Sequence, residues 1–440
     1  MSDTTIYNIL CVVLMVLVVG LALAYAVRRL QRTRPEFEVG RPIAVAFVLR
    51  LVAIAAVSIS GTGLMLRGGD ENTFLADARL IAASSFDSDL WIPAQFHRLH
   101  EIVFALQMKF GDFPDNAMRV TQVGFALLGI ILILAAIYDL AGPRAARIAA
   151  WIFALEPASI LYNGILHREP MLVLASGLVI LGGSKVWTKL EWRGVLMMAL
   201  GCAIAVGIRP YAAWFLMAGG LLLILHAAIR QVGSTLRSLP FIYAGVIAIV
   251  LAMPWVLSLT SDEKLEAVLQ NSQNANTNPY TVRTGAVGLN NLALEPVDFS
   301  SRTGLVTNLP IRVRDILLKP YPWQLQNTAQ RLGAIGTMVA LAALVLLLRY
   351  LRLNRGRIMT IAGPLIYPVI FLTIAYALSV GNAGTGYRYR THLVVLGLGI
   401  LVILREHAKR DAEATQDAPS PVADGVASEP KPLAASAAVR

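Results

Sequence analysis

Long apolar runs, each close to the length of a bilayer crossing, recur from one end of this chain to the other. The links between them alternate in charge. A bilayer core about 30 Å thick is crossed by about 20 helical residues at 1.5 Å each. Runs of this kind lie near Ile6–Val27, Pro42–Met65, Val120–Leu140, Ala149–Ile165, Met171–Trp187, Val195–Gly207, Ala212–Ile229, Phe241–Leu259, Gly333–Leu348, Ile361–Val380 and Leu393–Leu404. They predict an all-α, polytopic transmembrane helical bundle of about eleven spans, because a helix satisfies its own backbone in lipid. Composition agrees: 56% of the 440 residues are hydrophobic and 15% charged, where a soluble domain carries about 25% charged.

The charge of the links predicts an orientation. Arg28, Arg29, Arg32, Arg34 and Arg41 follow the first run, and Arg144 and Arg147 the third. Lys185, Lys189 and Arg193 follow the fifth, and Arg230 and Arg237 the seventh. Arg349, Arg352, Arg355 and Arg357 follow the ninth, and Arg405, Lys409 and Arg410 the last. The positive-inside rule puts these links in the cytoplasm, with the N-terminus outside and the C-terminus inside. The net charge of +11 is therefore topological and not a nucleic-acid footprint. Met1–Thr5 lacks the positive charge of a secretory signal. Cys11 and Cys202 lie inside apolar runs, which argues against a disulfide framework or a cysteine metal site.

These runs divide the chain into an extra N-terminal span with its basic loop (1–41), a main transmembrane domain (42–405) and a polar tail (406–440). The tail is rich in Ala, Pro, Ser and Asp and is expected to be disordered. Two long segments, 67–119 and 261–331, are placed outside. The first reads as two juxtamembrane amphipathic helices, near Asn72–Ala83 and His97–Phe110. The second opens with the capping-box pattern Thr260-Ser261-Asp262-Glu263, predicting a short helix to about Asn271. It continues into an amphipathic piece at Leu309–Leu318 and into Lys319-Pro320-Tyr321-Pro322-Trp323, whose aromatic residues suit the headgroup level.

Topology gathers polar chemistry on the outer side. Asp70 and Glu71 follow the second run, and His167, Arg168 and Glu169 join the fourth and fifth. Arg209 and Tyr211 join the sixth and seventh, and Asn382, Tyr387, Arg388, Tyr389 and Arg390 the last two. Ionisable groups at this depth are costly, which marks them as functional candidates. Arg168, Arg209, Arg388 and Arg390 suit a phosphate or diphosphate, held by charge-assisted bonds. Asp70 or Glu71 suits a general base. His167, Glu169, Tyr211, Asn382 and Tyr387 complete the substrate-binding set. A lipid-linked sugar phosphate asks for this pairing, its anionic head at the interface and its tail in the bilayer.

Arg67-Gly68-Gly69-Asp70-Glu71, after an early span and before two juxtamembrane helices, resembles the first outer loop of the GT-C glycosyltransferases. That superfamily includes protein O-mannosyltransferases and the aminoarabinose transferase of lipid A. Glu156-Pro157-Ala158-Ser159 through His167-Arg168-Glu169-Pro170, the Lys319–Trp323 stretch, and Gly381–Thr385 through Arg388-Tyr389-Arg390 resemble membrane proteins found with bacterial exopolysaccharide genes. The resemblance covers most of 42–405. It implies a GT-C-like fold in the bacterial cytoplasmic membrane and a polyprenyl-phosphate-linked sugar donor. The acceptor would be a glycan, lipid or protein. Asp70 or Glu71 would be the catalytic base or a ligand to a divalent cation such as Mg or Mn. The first span and the missing soluble domain depart from the family pattern.

Blander roles compete. Arg168 can pair with Glu169 or snorkel, and Arg209 sits at a helix end beside Pro210. Arg50 is expected to be structural, near the cytoplasmic end of its span. His97, His100 and Glu101 could place ligands on one helix face, but a lone set of this kind reads as surface decoration and not as a metal site. No phosphate-cradling or dinucleotide motif is present. Two other functions fit the same outline: an O-antigen-polymerase-like or ligase-like enzyme, and a transporter or flippase for a lipid-linked glycan.

Overall fold

The computed structural model describes residues 3–59, 63–93, 98–231, 302–321, 323, 325, 328–380 and 383–416. All regular structure among them is helical. In chain order the helices are α1 (Asp3–Gln31), α2 (Gly40–Ile59), α3 (Gly63–Ala83), α4 (Leu99–Gly111), α5 (Asp115–Ala141), α6 (Pro143–Leu155), α7 (Pro157–Tyr162), α8 (Glu169–Lys189), α9 (Trp192–Val206), α10 (Pro210–Arg230), α11 (Arg302–Leu318), α12 (Thr328–Leu353), α13 (Ile358–Ser379) and α14 (Ala383–Gln416). Among the described residues eight are long and apolar enough to cross a membrane: α1, α2, α5, α8, α10, α12, α13 and α14. The chain is a multi-pass membrane protein. The expected span at Phe241–Leu259 and the expected helix after Thr260 lie outside the described residues.

The links close into two ends. At the basic end, Arg34 after α1 grips Asp139 of α5 through Nε and Nη2 at 2.8 and 2.6 Å. Arg230 of α10 donates to the Trp187 carbonyl of α8 at 2.6 Å, and the Trp187 indole donates to Thr360 of α13 at 3.0 Å. Asn354 after α12 reaches the Leu404 carbonyl of α14 at 3.2 Å. These contacts bring the basic links among the described residues to one end.

Helices α5 and α8 form the centre. Of their apolar stretches 83% and 78% are buried, against 22% for α1 and 17% for α12 at the rim. Small residues permit this, since helices in lipid associate through close packing. A Cβ on Gly129 of α5 would stand 2.5 Å from the Val173 carbonyl oxygen, and one on Gly177 of α8 would stand 2.6 Å from that of Gly129. Gly182 and Gly194 bring α8 and α9 together in the same way.

Four expectations are corrected. The run Ala149–Ile165 is broken at Glu156: Pro157 has no N–H, so the carbonyl of Phe153 loses its helical donor. Glu156 instead caps α7, accepting from the Ala158 N–H at 3.2 Å and also from that of Ser159. Arg50 lies midway along α2, not near its cytoplasmic end, and is fully buried. Its guanidinium donates to Ala46 O at 3.0 Å and to the Ser159 hydroxyl, and approaches Phe153 O at 3.5 Å. It is structural, as expected, but serves the helix break. Third, Gly68 and Gly69 lie within α3, so Arg67–Glu71 is helical and not a loop. Finally, α14 runs on to Gln416, past the expected start of the tail; Lys409 pairs with Glu413 one turn on at 3.3 Å, and Asp411 with Arg357 at 2.9 Å.

Candidate functional site

The end opposite the basic links is closed by the α7–α8, α9–α10 and α13–α14 connections, with α3 and α4 packed beside them. Proline defines two starts: Pro170 and Pro210 occupy the first turns of α8 and α10. Arg168 and Arg209 are thereby set at the N-caps. The carboxylate of Glu169 suits the first turn of α8, where the helix dipole favours negative charge.

Arg209 is the hub. Its Nη2 donates to Glu169 Oε1 at 2.7 Å, and its Nη1 donates to the hydroxyls of Tyr211, at 2.6 Å, and Tyr389. The two hydroxyls are 2.9 Å apart, and the guanidinium lies 4.4 Å over the Tyr389 ring. Tyr389 stacks on Tyr376 of α13 at 4.4 Å, and Tyr376 reaches His392 Nδ1 at 3.0 Å. Burial lowers the Arg209 pKa, but Tyr211 and Glu169 more than offset this, so it ends above its ordinary value.

Arg388 Nη1 donates to His167 Nδ1 at 3.2 Å. That bond requires Nδ1 as acceptor, so a neutral His167 carries its proton on Nε2. Behind them lies a cavity of about 20 Å³ lined by residues that include His167, Glu169, Arg388 and His392. This volume has room for a water molecule but not for a sugar ring. A sugar must therefore sit outside it.

Arg168 turns away from Glu169. It lies 4.9 Å over the Phe74 ring of α3 and 3.6 Å from Glu101 of α4. Glu101 also has Arg98 at 3.3 Å and His100 at 3.6 Å, and is buried. Burial pushes the Glu101 carboxyl up to about 7, against the pull of Arg168. Burial, then the charges of Arg168 and Arg209, holds His100 well below the usual imidazole range. Arg168 is itself lowered, first by burial and then by Arg209. Sequence reasoning read His100 and Glu101 as surface residues; both are instead fully buried, between α3 and the start of α8. The 3-residue spacing of Arg98 and Glu101 was the available sign of the pair.

The remaining expected residues divide. Glu71 of α3 is buried, and its Oε1 accepts from Nε and Nη2 of Arg119 (α5) at 2.9 and 2.7 Å. Phe74, one turn on, touches Arg168. Helix α3 thus joins the carboxylate expected as base to the arginine cluster. The side chain of Asp70, and all of Asn382, lie outside the described residues. Arg390 donates to the carbonyls of Leu317 at 3.2 Å and Lys319 at 2.9 Å and stacks on Tyr387 at 4.6 Å. It anchors α14 to α11 and stands apart from the hub. Glu71 is engaged by Arg119, and among the described residues no three acidic, His or Cys groups converge. Comparison with family models, with curated proteins and with solved structures returns no match, so geometry alone carries the reading of the site.

Proposed function

We propose that this chain is a GT-C-type membrane glycosyltransferase of the bacterial cytoplasmic membrane. It spans the bilayer about eleven times, with its N-terminus outside and its C-terminus in the cytoplasm. It moves a sugar from a polyprenyl-phosphate-linked donor to a glycan, lipid or protein acceptor at the outer face, in surface polysaccharide or glycolipid assembly. The supporting observation is the confrontation of Arg168 and Arg209. Each is at a helix start, Arg209 is 11% and Arg168 30% exposed, and burial, then the charge of Arg209, lowers the pKa of Arg168. A bound phosphate relieves that repulsion.

In this reading Arg168 and Arg388 hold the lipid phosphate, and Arg209 keeps the α8, α10 and α14 starts in place. An acceptor hydroxyl attacks the anomeric carbon, and the bond from that carbon to the phosphate oxygen breaks. The departing phosphate takes the electron pair, and the arginines stabilise its charge. The hydroxyl proton passes to a carboxylate. Asp70 suits this role better than Glu71, which Arg119 engages. The test is sugar transfer in proteoliposomes by wild type and the Asp70→Asn/Glu71→Gln double variant. Loss of transfer with folding intact supports the reading. Full transfer by the double variant contradicts it and favours a polymerase-like enzyme centred on Arg168 and Arg388.

A further inference from the structure

Beside α3 lies an open cleft of about 1130 Å³, walled by α1, the end of α2, α3, α4 and the start of α5. We infer that this cleft binds an ethanolamine phospholipid from the membrane leaflet it faces. The inference goes beyond the transferase reading and rests only on the multi-pass membrane placement.

Three features of the cleft point to a lipid. Its volume exceeds that of ordinary ligand sites, which run to about 1000 Å³, and admits a headgroup with part of its chains. Its α1 wall is apolar, with Ile9, Val12 and Val13, and the exposed sides of Ile9 and Val13 continue into the lipid-facing surface of α1. Its mouth is at helix ends, the start of α5 and the last turn of α2, and its α1 wall runs from Thr5 to Val13, about 12 Å along the helix. A hydrogen bond from the Tyr7 hydroxyl to the Gly111 carbonyl ties α1 to the end of α4 at the rim.

The charges select the head. Arg79, Lys109 and Arg119 line the cleft with Asp112 and Asp115. Arg119 is committed to Glu71 and Asn116 through three of its bonds, and Lys109 donates to the carbonyls of Ala82 at 3.0 Å and Ser84 at 2.6 Å. Arg79 and Asp115 face each other at 3.7 Å, with side chains 65% and 41% exposed. A pair this long and wet is held weakly. A zwitterionic head can replace this contact once the two part, the phosphate on Arg79 beside Lys109 and the ammonium on Asp115 and Asp112. Carboxylates accept three N–H bonds from a primary ammonium and none from a quaternary one. An anionic head with no ammonium would leave both aspartates facing its charge.

Delipidated full-length protein in neutral detergent, offered ethanolamine, choline and glycerol phospholipids of the same chains, reads this directly by native mass spectrometry. Wild type is expected to retain the ethanolamine lipid about tenfold over the others, a difference of about 1.4 kcal/mol. Asp112→Asn with Asp115→Asn should erase the preference. Asn tolerates the left-handed backbone at position 112, where φ is 42°. Val12→Trp, which fills the cleft from the α1 side, should lower retention of all three. Equal retention of the ethanolamine and choline lipids, a preference for the glycerol lipid, displacement by inorganic phosphate alone, or undiminished binding in Val12→Trp protein each overturns the inference. None of these readings depends on sugar transfer.

Discussion

At Arg209 two demands meet: a charge must be kept away from water, and three helix starts must be held together. Its partner Glu169 supplies the opposite charge at 2.7 Å, and the side chains are 11% and 10% exposed. Removing one member of such a pair strands the other. Glu169→Gln is therefore expected to cost about 3–5 kcal/mol of stability, and Glu169→Met with Arg209→Met much less than the sum of the single changes. A double-mutant cycle on thermal unfolding in detergent checks this; additive losses would mean that the pair does not act as a unit. Glu101 sets a pH dependence. Its carboxyl is raised from 4.5 to about 7, so the folded protein binds the proton that the unfolded chain has released between those values. Stability should accordingly be full below about pH 4.5 and fall as pH rises towards 7, where wild type loses what Glu101→Gln keeps. Unfolding midpoints of the two proteins across this range make the comparison. The sequence brought Glu169, Arg209 and Arg388 to one end because each sits beside an apolar run. It was silent on Glu71 with Arg119 and on Arg168 with Glu101, because these pairs join residues far apart in the chain, and no local spacing records a tertiary partner.

Elements show the same division between pattern and packing. The run Ala149–Ile165 is apolar throughout its first half, and apolarity carries no sign of a break. The sign was Glu156-Pro157, a cap followed by a residue without an N–H. In α3 the local cue pointed the other way. Two successive glycines cost about 1 kcal/mol each in a helix and read as a loop, yet the face carrying Leu75, Ala78 and Ile81 packs on Ile102, Phe104 and Ala105 of α4 and keeps the segment helical. Close approach at glycine gives a sharp contrast. A Cβ at Gly129 meets backbone at 2.5 Å, whereas one at Gly397 of α14 meets nothing within 4 Å. Gly129→Ala should destabilise by about 1–3 kcal/mol, and Gly397→Ala should stabilise by up to about 1 kcal/mol. Melting curves in a common detergent separate the two, and equal effects would contradict the α5–α8 packing.

For the whole molecule, the alternating links define two chemically different ends. Arginine and lysine collect at one, where Arg34, Arg230 and Arg357 tie helices together. Glutamate, histidine, tyrosine and selected arginines collect at the other. Orientation is testable because both native cysteines are buried. A membrane-impermeant maleimide should label Asp87→Cys in intact cells and Arg355→Cys only after permeabilisation; the reverse pattern would place Arg168, Arg209 and Arg388 at the cytoplasmic end. In the functional account, Arg168 and Arg388 hold the lipid phosphate. The most direct measurement is the binding of polyprenyl phosphate to the purified protein, with polyprenol of the same length as control. Wild type should bind the phosphate at least about tenfold more tightly than the alcohol, and Arg168→Gln with Arg388→Gln should abolish that difference. Equal affinity for phosphate and alcohol in the wild type, or a phosphate preference that survives loss of both arginines, would contradict it.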